Sequence, residues 1–122
     1  MNLRTLSAMA VITGASVMGA TPGLAQDTIS ASQVRAINLA RNTAVAKNGG
    51  LNVYRPQPCM FQTSDGGGDC LVNQDENGYT FQFLGGAPGW PENDSSPTTE
   101  TEIQIAPDGR TVNEVLYNGS PR

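Results

Sequence analysis

Histidine is absent from all 122 residues, and this excludes a good deal of chemistry. Ser-His-Asp and Cys-His nucleophilic sites of the usual construction cannot be built. The commonest metal ligand is missing, and so is the usual general base near neutral pH. Lysine occurs once, at Lys47, where a helix is expected to end. Cysteine occurs twice, as Cys59 and Cys70, and two thiolates without histidine do not complete a four-ligand zinc site. No metal and no cofactor are therefore expected. Basic residues are also few, with 7 Lys and Arg against 11 Asp and Glu for a net charge of −4. Without a basic stripe the chain is a poor nucleic-acid binder, because phosphate neutralisation supplies most non-specific affinity. Anionic membrane surfaces are equally poor partners.

A long apolar run is the next thing the sequence lacks. The one apolar stretch, Leu6 to Met18, is about 13 residues and is rich in Gly, Ala, Ser and Thr, short of the roughly 20 that a spanning helix needs. It follows Arg4 and precedes Pro22-Gly23-Leu24-Ala25. A basic start, an apolar middle and small residues at a cleavage point form a secretory signal peptide, expected over residues 1–25. No cysteine follows the cleavage point directly, so a lipid anchor is not expected. The remaining part has 122 − 25 = 97 residues and, with Arg4 gone, 6 basic against 11 acidic groups, a charge of −5. That length suits one domain, expected over residues 26–122 with its core between about 30 and 117. The destination is the periplasm or the outside of the cell, with no membrane contact after cleavage.

Export changes the reading of the cysteines. In an oxidising compartment an even pair favours a disulfide, and the ten residues between Cys59 and Cys70 do not match the close spacing of a redox-active pair. A structural bridge is expected.

Along the chain, Ser30 and Gln33 have the spacing of a capping box, with Ile29 and Val34 as its hydrophobic staple. A helix should run from there to about Lys47 and stop at Asn48-Gly49-Gly50. Val34, Ile37, Ala40, Ala44 and Val45 fall on one side of it. This narrow, alanine-rich stripe suits close packing on a sheet. Short extended segments are expected at Leu51–Tyr54, Cys59–Gln62 and Cys70–Val72, the last two flanking a flexible turn over Thr63–Asp69. The clearest strand is Gly78–Leu84, where Tyr79, Phe81 and Phe83 alternate with Thr80 and Gln82. Its aromatic side should cover the helix. Thr98–Ala106 alternates in the same way, and Pro107-Asp108-Gly109-Arg110 turns the chain into a last strand over Thr111–Tyr117. One helix followed by antiparallel strands is an α+β layout, with the N-terminal helix packed on a small sheet of about four or five strands.

Few groupings can carry chemistry. Asn73–Gly78 has the oxygen spacing of the start of a calcium loop, but its twelfth position is Leu84 and it precedes a strand, so it reads as a turn. Glu100 and Glu102 share one strand face, with Glu114 on the next strand; they can be paired catalytic carboxylates or solvent-facing glutamates that attract a basic partner. Gly85–Pro91 places the only tryptophan in a Gly/Pro loop. Trp90, with Pro88 and Pro91, can anchor a partner as an interface hot spot or fold back as a plug.

The helix Ser32–Ala46 ending at Gly49-Gly50, the strands Tyr79–Phe83 and Thr101–Ile105, and the Pro107–Arg110 turn together resemble a single PepSY domain in layout, over residues 30–117. The cysteine pair and the tryptophan loop have no counterpart in that layout. The resemblance implies a small exported module without catalytic residues, and in some members restraint of a peptidase. The segment from Phe81 to Trp90 is also similar to small exported proteins of photosynthetic bacteria, which implies no activity. The functional expectation is a monomeric, non-catalytic module that binds a protein or peptide. A PepSY-like peptidase inhibitor is the alternative, and a hydrolase using Glu100, Glu102 and Glu114 is the second alternative.

Overall fold

A computed structural model describes residues 28–122; the expected signal peptide lies outside them. The fold is α+β, one helix packed against an open antiparallel sheet of five strands. Helix α1 spans Ala31–Lys47, and the Ser30 side chain accepts a hydrogen bond from the Gln33 backbone N–H. The other half of the expected capping box is not formed. Gln33 instead turns inward, and its Nε2 donates to the carbonyl of Gly66 at 3.1 Å. The buried side of α1 is Gln33, Ala36, Ile37, Ala40 and Ala44, so the contact stripe is shifted from the expected one, and Val34 and Val45 lie at its margins. Alanine at three of these five positions lets the helix axis come close to the sheet.

The strands are β1 (Arg55–Pro56), β2 (Leu71–Asp75), β3 (Gly78–Gly86), β4 (Thr99–Ile105) and β5 (Val112–Gly119). Strands β1 and β2 both pair with β3, at its C-terminal and N-terminal halves respectively, and β4 and β5 follow on the other side. The long strands lie where the alternation is strongest. Tyr79, Phe81 and Phe83 of β3 and Thr101, Ile103 and Ile105 of β4 are buried under α1. The Ser32 hydroxyl and the Tyr79 phenol meet at 2.8 Å, tying the helix start to the sheet. Arg35 reaches the Asp108 carbonyl in the β4–β5 turn through two nitrogens. At the other end of the helix, Asn48 bonds Asn118 of β5, which also accepts from Thr101 at 2.7 Å.

Two expected strands are not strands. Leu51–Val53 forms a turn, and only Arg55 and Pro56 pair with the sheet. Pro58–Phe61 is a short 3-10 turn, with Pro58 at its start. Proline fixes φ where a first helical residue needs it, and Cys59 and Met60 are buried by this turn. The cysteines do form a disulfide, with Cα atoms 5.9 Å apart, but it does not close a hairpin. It fastens this 3-10 turn to a second one, Gly68–Cys70, that leads into β2.

The Thr63–Asp69 segment is also packed where a flexible turn was expected. Gly66 and Gly67 are buried, and Gly66 has φ +67°. A Cβ on Gly66 would lie 2.3 Å from Gln33 Nε2. Glycine is needed there both for the left-handed backbone and for the close approach.

Candidate functional site

The sheet has one face under α1. Among the described residues no helix or strand covers the other, which carries Gln82 and Leu84 from β3, Glu100, Glu102 and Gln104 from β4, and Tyr117 from β5. Alternation along extended strands forces this division, because successive side chains point to opposite faces. The register sets Gln82 beside Glu102 and Glu102 beside Tyr117, so these three form one row across three strands.

Residues 120–122 turn back across this face. The Arg122 Nη2 lies 2.9 Å from Glu100 Oε2 and 3.0 Å from Glu102 Oε1. Its guanidinium carbon sits 3.9 Å from the centre of the Tyr117 ring. Glu100 also accepts from the Arg122 backbone N–H at 2.7 Å and from Gln82 Nε2 at 2.6 Å. With these partners over it, Glu100 is only 5% exposed, which corrects the expectation of a solvent-facing glutamate. The Arg122 guanidinium, its backbone N–H and the Gln82 amide all favour the carboxylate and outweigh its burial. They hold its pKa at about 2. Glu114 is placed opposite Gln104, further along β5, and does not join the pair.

A trough of about 350 Å³ opens beside this clamp, within the lower range of ligand-sized sites. Gln82, Glu100 and Arg122 line it, with Leu84, Val72 and Asp69. Gln57 fixes the far edge, its side chain accepting from the Leu84 backbone N–H and its own N–H donating to the Leu84 carbonyl.

The tryptophan loop behaves differently from the exposed anchor considered above. Trp90 is 8% exposed. Its ring lies on Gly86, where a Cβ would come within 3.0 Å of the indole. The indole N–H donates to the Arg55 carbonyl at 2.9 Å. Trp90 is thus a plug that joins the loop to β1, and an exposed indole contact is ruled out by this packing. Pro88 is exposed and Pro91 half-buried. Pro91 does line a second, smaller hollow of about 220 Å³ with Pro56, Pro58 and the half-exposed Phe61, while Arg41 is stacked near the Phe61 ring, 5.1 Å from its centre. The other candidate residues, Glu100 and Glu102, are brought together on Arg122, and of the two Glu100 lines the trough; Trp90 and the prolines are not part of it.

Arg122, Tyr117 and Gln82 complete the acidic pair, and none of the three stands out in the sequence as a site residue. The only local signal was the register: two strands with complementary alternation place Gln82 and Tyr117 on the same face as the glutamates. The fold-back of Arg122 has no periodic signature. Among the described residues, no three His, Cys, Asp or Glu side chains come together as a metal site, and no helix is long and apolar enough to cross a membrane. Compared with family models, with curated proteins and with solved structures, the chain matches none.

Proposed function

We propose that this chain is an exported, non-catalytic binding module and that the sheet face opposite α1 is the surface it offers to a protein or peptide partner. The trough beside Glu100 is the observation that carries this reading. It combines a fixed, ionised carboxylate with apolar walls from Val72 and Leu84, the mixture by which a peptide-sized ligand is oriented and retained. The disulfide, with the extracellular chemistry it implies, supports the export part.

Glu100 does not suit the part of the general acid in a hydrolase. A general acid needs a raised pKa, and Glu100 is displaced in the opposite direction.

Val72 is half-exposed on the trough wall, so it can be changed without disturbing the core. Val72→Glu is expected to leave the thermal midpoint unchanged and to abolish retention of an exported partner. Ala46→Glu, on the exposed side of α1, is expected to preserve it. Equal retention by both variants would remove the sheet face as the binding surface.

A further inference from the structure

Resting on the reading of this sheet face as the binding surface, we propose that it recognises an arginine side chain of the partner, and that Arg122 occupies the partner's place when none is bound. A guanidinium is a planar cation. It is held best by carboxylates in its plane and an aromatic ring against its face. Both are present here. Glu100 and Glu102 meet the Arg122 Nη2 at 2.9 and 3.0 Å, and Tyr117 lies 3.9 Å from the guanidinium carbon.

The seat and its occupant are built differently. Glu100, Glu102 and Tyr117 stand on paired strands, and Gln82 on β3 fixes the Glu100 carboxylate from the side. Arg122 instead follows Gly119, the last strand residue, on the exposed pair Ser120-Pro121. Its side chain is 44% exposed. Among the described residues only Nη2 and the backbone N–H of Arg122 make bonds, so its Nε and Nη1 are unused. An incoming arginine can present two nitrogens to one carboxylate, the stronger bidentate arrangement.

Charge selects the class of ligand. With Arg122 lifted away, Glu100 and Asp69 border the trough and Glu102 loses its cation. Glu100 loses the same cation, so a positively charged group is the complement of the vacated place. Lysine supplies a point charge but neither the flat face nor the paired donors. Val72 and Leu84 then offer an apolar wall to the residue next to that arginine.

The test is a titration of the purified protein and of Arg122→Ala with N-acetylarginine amide, and with N-acetyllysine amide for comparison. The Gln82 side-chain amide and the Tyr117 ring are followed by NMR. Arg122→Ala is expected to bind the arginine probe at least about ten-fold more tightly than the unaltered protein, since removal of an internal competitor raises the competent fraction. The lysine probe is expected to bind more weakly, and addition of Glu100→Gln to abolish the gain. Arg122→Gln provides the same readout if the alanine variant does not fold. Equal affinity of the altered and unaltered proteins for the arginine probe, or equal affinity for lysine, overturns the guanidinium assignment and leaves the sheet-face reading standing. Shifts confined to α1 or to the hollow at Phe61 overturn the sheet-face reading itself.

Discussion

At the scale of single residues, Glu100 has the largest electrostatic consequence. Its carboxyl is held at about 2 by Arg122 and Gln82, against about 4.3 for an unperturbed glutamate. A folded-state pKa below the unfolded one adds stability that is fully present above the unfolded value and disappears as pH falls through the folded value. Stability is therefore expected to decline between about pH 4.5 and pH 2. In Glu100→Gln this acid-side decline should flatten, as measured by urea midpoints across that range. Tyr54 gives a prediction of the opposite kind. It is 3% exposed, and its hydroxyl is the one buried side-chain polar atom among the described residues without a hydrogen-bond partner. Burial raises its pKa and the nearby Thr101 side chain opposes the rise, but the Thr101 hydroxyl donates to Asn118 instead. An unsatisfied buried hydroxyl contributes little or costs stability, so Tyr54→Phe is expected to be neutral within about 0.5 kcal/mol or stabilising. A loss of more than about 1 kcal/mol in denaturant melts would mean that the hydroxyl is bonded after all. Trp90, packed on Gly86 and bonded to Arg55, should emit at short wavelength and resist quenching by acrylamide; a red-shifted, readily quenched emission would contradict its role as a plug.

At the scale of elements, legibility followed periodicity. The alternation in Tyr79–Phe83 and Thr101–Ile105 needs no information from outside the segment, and both strands and their inward faces could be read from it. The Ser30 cap and the Pro107–Gly109 turn are equally local. Leu51–Tyr54 and Cys59–Gln62 are short apolar runs, and periodicity cannot separate a strand from a helical turn over four residues. Pro58 and the disulfide settled the second as a 3-10 turn. The glycines of Thr63–Asp69 looked like freedom when read singly. Their purpose is close approach to Gln33 and Phe81, which only the folded chain reveals. The candidate site was half legible for the same reason: two glutamates share a strand face in any sequence of that pattern, while Arg122 reaches them from the end of a different strand. The disulfide joins two elements with little regular hydrogen bonding between them. Its closed loop, with partners 11 residues apart, corresponds to about 3 kcal/mol in the chain-entropy treatment. The double variant Cys59→Ser, Cys70→Ser is expected to lose stability of that order in denaturant melts. Unchanged stability would show that the packing of Gly66 and Gly67 suffices alone.

For the molecule as a whole, the division of labour is between two sheet faces. One is filled by α1 with alanines and aromatics and forms the core. The other is polar, acidic and bordered by a trough, and among the described residues only 120–122 cross it. A domain of this size does not need Glu100 buried in order to fold. The position of Glu100 beside a ligand-sized trough agrees with the recognition proposed above. The most direct test places a photoreactive phenylalanine analogue at Val72, on the trough wall, and at Ala46, on the exposed side of α1, in the exporting cell. The expected result is one discrete covalent adduct from position 72, lost in Glu100→Gln with Glu102→Gln, and none from position 46. Adducts of equal yield from both positions, or from position 46 alone, would contradict the assignment of the uncovered sheet face as the binding surface.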